Sequence, residues 1–160
     1  MTKQTNDETL FAARVDEIHA FLKLHFADLR DDEVAELRVL GAGHPNSGFY
    51  ADLLEMAQAA AVLDEDGWAV YYGANPRSAP VARGTLNEMG SRRGGKVEDV
   101  PRRAWLVLDV DAIRAVKGCA TKAEKQGAKR RAVTITKWLA KQGFGAPRIV
   151  DSGNGYHVLY

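Results

Sequence analysis

The sequence predicts an α+β fold in which helices pack against an antiparallel or mixed sheet. Two observations carry this expectation. Apolar stripes at helical spacing alternate with short β-branched and aromatic runs in the order α-β-α-β-β-α-β-β, with no regular βαβ repeat. The last two runs, "PRIV" and "YHVLY", flank "SGNG", an asparagine-glycine hairpin signal. A length of 160 residues with 46% hydrophobic and 27% charged side chains suffices for a buried core.

Residues 8–30 carry Phe11, Val15, Ile18, Leu22, Phe26 and Leu29 at spacings of three or four, one apolar stripe of an amphipathic helix. His19 and His25 lie on or beside it and read as satisfied or solvent-facing. "VAELRVLG" alternates as a short strand closed by glycine, and "GAGHPNSGFY" reads as a loop that includes His44. "ADLLEMAQAAAVLDEDG" is a second helix stopped by Gly67, with Met56 in its core face. "WAVYYGANP" is a strand broken at Asn75-Pro76. Residues 77–103 hold seven basic side chains against three acids and form a loop-rich connector with one short helical stretch around "ARGTLNEM". "AWLVLDVDAI" has the nearly continuous apolar character of a strand buried on both faces. Thr121 with Glu124 is a capping box that opens a basic helix ending at Gly143. Its inner face is expected to hold Ala128, Ala132, Ile135, Trp138 and Leu139. Residues 1–33 thus form an N-terminal helical segment, and residues 34–160 a second domain.

Cys119 is the single cysteine, which leaves no disulfide framework and no cysteine metal site and fits a reducing compartment. The polar N-terminus lacks a signal core, and no apolar run reaches the ~18 residues of a membrane helix. The expectation is a cytoplasmic protein with no membrane partner. The net charge of +1 conceals an asymmetry: residues 1–66 carry a balance of −9 and residues 67–160 a balance of +10. A basic half of this size points to polyanions, or else to neutralisation against the acidic half.

Asp109 and Asp111 stand two apart at the exit of the apolar strand. Alternation sends both carboxylates out of one face, with α-carbons ~6.5–7 Å apart, while Val110 points into the core. Two carboxylates converging from rigid backbone suit hard divalent cations, Mg²⁺ or Mn²⁺. In phosphoryl transfer such a pair can serve a two-metal site with ions ~3.5–4 Å apart. The plain alternative is a strand end meeting solvent. An EF-hand is excluded because Ile113 stands where an oxygen ligand is required.

"SGNGYH" adds a hydroxyl at Ser152, an imidazole at His157 and backbone that Gly153 and Gly155 free of Cβ atoms. Such a turn lets amide groups approach phosphate and form an anion nest. An ordinary hairpin followed by a core histidine explains the same residues.

Together, "WLVLDVDAIR" and "DSGNGYHVLY", joined by one basic helix, resemble the DxD and SGxGxH motifs of the archaeo-eukaryotic primase superfamily, in its primase-polymerase branch from phages, plasmids and mobile elements. "SGFYADLLEMAQAAAVLDEDGWAVYYGANPR" is similar to the N-terminal module of that branch, and the resemblance covers roughly residues 34–160. It implies an RNA-recognition-like catalytic sheet and template-directed nucleotidyl transfer in DNA replication. Asp109 and Asp111 would be ligands of Mg²⁺ or Mn²⁺ and catalytic together with His157. Ser152, Gly153, Gly155 and His157 would bind the nucleotide. The implied partners are a DNA template and primer, nucleoside triphosphates and a helicase, fused or separate.

One departure stands out. The family completes its metal site with a third acid on a strand well after SGxGxH, whereas this sequence ends at Tyr160, and Asp151 precedes the turn. The expectation is therefore a C-terminally truncated catalytic domain, inactive by itself. A non-catalytic nucleic-acid-binding replication module with the same fold is the alternative. A Toprim-type metal enzyme also uses DxD, but the glutamate-glycine strand end it requires upstream is missing.

Overall fold

The computed structural model describes residues 2–40, 45–91, 93–116 and 118–160. His44 lies outside the described residues. The fold is α+β with antiparallel sheets, as the alternation of stripes and strands predicts. Two compact units divide the chain, residues 1–104 and residues 105–160. The N-terminal helix therefore belongs to the same unit as the first five strands. Among the described residues no helix is long and apolar enough to cross a membrane.

In the first unit, α1 (Thr2–His25) and α2 (Leu53–Glu65) accompany a sheet of β1 (Glu33–Leu40), β2 (Asn46–Tyr50), β3 (Ala69–Tyr72), β4 (Arg77–Ser78) and β5 (Glu88–Ser91). The path of the sheet is β3-β1-β2-β5, with β4 also pairing with β1. Val15 and Leu22 of α1, with Phe26 just after it, meet Met56, Ala57, Ala60 and Ala61 of α2 over Ala35, Leu37 and Tyr50 of the sheet. The stripe read from the sequence is thus the core seam. His25 is buried within it, its Nε2 2.9 Å from the carbonyl of Ala74. Asp52 caps α2 by accepting from the amides of Leu54 and Glu55, and Gly67 stops the chain behind it at φ +80°.

Two expectations fail here. Residues 46–50 form β2, paired with β1 from Ala35–Tyr50 to Val39–Asn46, instead of a loop. The glycine that suggests a loop is required by packing: a Cβ at Gly48 would lie 2.7 Å from the Glu88 carbonyl and 2.7 Å from the Tyr50 ring. The stretch around "ARGTLNEM" is helical only in the 3₁₀ turn Ala79–Ala82 that runs into it. Arg83 (φ 49°) and Asn87 (φ 61°) turn the chain so that β5 can pair with β2.

The basic connector is anchored by two buried glutamates of β1. Glu36, 3% exposed, accepts from Arg77 Nε at 2.9 Å, Gly95 N at 2.8 Å and Ser47 Oγ at 3.4 Å. Glu33, 2% exposed, accepts from Arg102 Nε at 2.7 Å and Nη2 at 2.8 Å, and Arg102 Nη1 also reaches Asp28 at 2.7 Å. The hydrogen bonds from Arg102 hold the Glu33 carboxyl below the ordinary glutamate range. Part of the charge asymmetry is therefore neutralised within this unit, and Arg77 and Arg102 are committed to carboxylates.

The second unit is a three-stranded antiparallel sheet with one helix: β6 (Val107–Asp111), α3 (Lys122–Lys141), β7 (Arg148–Asp151) and β8 (Gly155–Leu159), in the order β6-β8-β7. α3 begins at the predicted capping box. Val110, Val158 and Ala132 form its core, with Leu108, Ile135, Tyr156 and Tyr160 packed alongside. β6 is an edge strand of this sheet and is buried on one face only, not on both. Ala128, Ala132 and Leu139 point inward as expected. Trp138 does not: it is 59% exposed. At 100° per residue it falls on the flank of the stripe that passes through Ala128, Ala132 and Leu139.

Candidate functional site

β6 and β8 bring the two sequence motifs together. Leu106 and Tyr160 exchange both backbone hydrogen bonds, N to O, at 2.9 and 3.1 Å. In an antiparallel ladder hydrogen-bonded and non-hydrogen-bonded pairs alternate, so Asp109–His157 and Asp111–Gly155, in register, are non-hydrogen-bonded pairs. Their α-carbons approach to ~4.5 Å, and the side chains of such a pair are the closer ones. Asp109 Oδ1 lies 3.6 Å from His157 Nε2. Both pairs leave the sheet on the face opposite Val110 and Val158, which pack towards α3.

Asp109, Asp111 and His157 therefore share one face, and both aspartates are exposed. Among the described residues no lysine or arginine makes an ion pair with either aspartate, and His157 is the basic neighbour of Asp109. The other two acids of this unit are occupied. Glu124 closes the capping box with Thr121. Asp151 accepts from Lys125 Nζ at 2.8 Å and from Gly153 N at 2.9 Å. The Lys125 hydrogen bond, then that of Gly153, holds the Asp151 carboxyl below the usual range, and the same contact raises Lys125.

Asp151 pairs with Tyr156, and Tyr156 with Val110, so Asp151 lies in register with the core face and not with Asp109 and Asp111. It is no substitute for a third ligand. Among the described residues no group of three His, Cys, Asp or Glu side chains gathers in metal-binding geometry. The donor set still fits a hard divalent cation: two exposed oxygen anions, one strand repeat apart, without a competing lysine or arginine.

The glycine turn is built differently from the asparagine-glycine type. Positive φ falls at Gly153 (+87°), not at Asn154 or Gly155, so the turn is centred on Gly153-Asn154 and Gly155 already belongs to β8. Ser152 N donates to Gly155 O at 3.1 Å, and Gly155 N donates to Ser152 Oγ at 3.2 Å. With Gly153 N on Asp151, three amides of the expected anion nest have partners inside the turn. The Ser152 hydroxyl accepts there and keeps its own proton to donate.

Gly155 is dictated by close approach, since a Cβ would lie 2.5 Å from the Val110 carbonyl. Two residues that the motifs did not single out hold this arrangement. Asn154 accepts from Ala120 N through Oδ1 at 2.9 Å and from Ala112 N through its carbonyl at 3.3 Å. This ties the hairpin to the loop after β6. Arg131 of α3 donates to the Asp111 carbonyl. The asparagine flanked by glycines was visible in the sequence as a turn former, but nothing marked Arg131 among its basic neighbours.

Compared with known protein families, characterised proteins and solved structures, the chain matches none.

Proposed function

We propose that the chain carries the metal- and nucleotide-binding core of a primase-polymerase, an enzyme of template-directed nucleotidyl transfer. The observation that supports this most directly is the pairing of β6 with β8, which sets Asp109 and Asp111 on one face with His157 beside them. In this reading Asp109 and Asp111 hold Mg²⁺ or Mn²⁺. The ion would neutralise phosphate charge and activate the attacking oxygen. His157 donates an imidazole N–H to a triphosphate oxygen, and the Ser152 hydroxyl donates its free proton to another. Gly155 lets β8 lie close enough to β6 for both to reach one ligand. The sheet with its one covered face is compatible with an RNA-recognition-like catalytic layer, and the exposed lysines and arginines of α3 would meet template and primer phosphates.

Calorimetric titration of the protein with a nucleoside triphosphate and Mn²⁺ tests this reading. Binding that requires the metal and is lost in both Asp109→Asn/Asp111→Asn and His157→Ala is expected. DNA binding without any metal-dependent triphosphate binding would instead favour a non-catalytic replication module.

A further inference from the structure

The outer flank of α3 carries a group of residues that the core leaves unused. Gly127, Arg131, Thr134, Trp138 and Lys141 follow one another at spacings of three and four, so they form one stripe along the helix. A groove lined by Gly127, Arg130, Arg131, Thr134 and Ile135 runs along it. Gly127 leaves a notch in which two guanidinium groups converge. A Cβ built there would lie 3.7 Å from Arg131 Nη1 and 3.9 Å from Arg130 Nη2.

Like charges gathered in this way repel unless an anion joins them. Among the described residues no carboxylate pairs with Arg130, Arg131, Lys137 or Lys141. The one acid of α3, Glu124, is engaged in the cap. Two helical turns along the same stripe, Trp138 stands 59% exposed, between Lys137 and Lys141.

We propose that this stripe binds a single-stranded nucleic acid, with a phosphate in the Arg130–Arg131 notch over Gly127 and a base stacked on Trp138. The charge selects a polyanion, and the exposed indole selects one with flat faces free to stack, which excludes bases paired inside a duplex. An acidic peptide satisfies the arginines but leaves the indole unused. Arg131 also donates to the Asp111 carbonyl, so the notch adjoins the strand end that carries the paired aspartates. The proposal takes the identity of the polyanion from the primase-polymerase reading, but its geometry is separate from Asp109 and His157.

Fluorescence anisotropy with a labelled oligo-dT tests it. The oligonucleotide should bind with an affinity that falls steeply with salt. Trp138→Ala should weaken binding about tenfold at every salt concentration, within the range for loss of one base–aromatic stack, and Trp138→Phe should restore most of it. Arg130→Gln should weaken binding and reduce the salt slope by about one. Wild-type affinity in Trp138→Ala, with the fold verified by melting, overturns the proposal. So does equal, Trp138-independent binding of a duplex, or equal competition by polyglutamate of matched charge. Titration of the same variants with triphosphate and Mn²⁺ separates the two readings. Loss of oligo-dT binding in Trp138→Ala without any triphosphate binding by the wild type would uphold the stripe and reject the nucleotidyltransferase.

Discussion

Asp109 and His157 face each other across β6 and β8 as a non-hydrogen-bonded pair, with Oδ1 and Nε2 3.6 Å apart. That gap exceeds a hydrogen bond. The two groups are held side by side without satisfying one another, and each keeps donor or acceptor capacity for a third party.

The aspartates should bind a divalent ion. Two exposed carboxylates one strand repeat apart repel, and a cation relieves that repulsion. Water-proton relaxation in a Mn²⁺ titration should report weak binding to the protein, and Asp109→Asn/Asp111→Asn should abolish it. An unchanged titration in the double variant would remove both residues from the site.

His157 should matter to ligand binding and little to folding. Its side chain is 36% exposed, so truncation leaves no sealed cavity. In His157→Ala the free protein should melt within a few degrees of wild type, while the rise in melting temperature with triphosphate and Mn²⁺ disappears. A loss of several kcal/mol in the free variant would mark the imidazole as a packing residue instead.

Gly155 should tolerate nothing larger. The added methyl of Gly155→Ala would meet the Val110 carbonyl at 2.5 Å and the Asp111 α-carbon at 2.9 Å. These backbone atoms cannot yield without parting β8 from β6, so a cost of ~1–3 kcal/mol is expected. Urea unfolding measures it, and a variant as stable as wild type would refute the close approach.

The Glu33–Arg102 pair should give the first unit an acid-sensitive component. The folded-state pKa of Glu33 is depressed. Its contribution is therefore present above the unfolded value, about 4.3, and is lost as pH falls through the lower folded value. Arg102→Ala would strand a buried carboxylate at a cost of ~3–5 kcal/mol. Stability measured across this window in wild type and variant should converge at the acid end. Parallel curves would show that the pair does not titrate as a unit.

The sequence disclosed those features whose signal is local. The capping box of α3, the Asp52-capped helix and the alternation that sets Asp109 and Asp111 on one face can be read from residues a few positions apart. Strand β2 was hidden because Gly48 has the composition of a loop, while its reason for being glycine lies in Glu88 and Tyr50. The partners of Arg77 and Arg102 are 41 and 69 residues distant, and no spacing rule says which glutamate a connector arginine will find. Trp138 misled in the opposite direction, since its apolar character suggested the core although its helical angle places it on the flank. Gly127 gave no local sign that two guanidinium groups would gather over it.

The β7–β8 hairpin has a consequence for its own gene. Strand faces alternate with a period of two, and the turn from Asp151 to Gly155 fixes the register of β8 on β7 and with it the face that His157 presents beside Asp109. Deleting or inserting one codon there would still allow the strands to pair. It would, however, rotate Tyr156 or Val158 onto the aspartate face and send the imidazole towards α3. A change of two codons keeps the parity but brings a side chain into the slot that Gly155 occupies, where a Cβ would lie 2.5 Å from the Val110 carbonyl. Mutational scanning of this turn should therefore show ligand binding lost on any change of length, single-codon changes acting through the reversed faces and two-codon changes through the filled Gly155 slot.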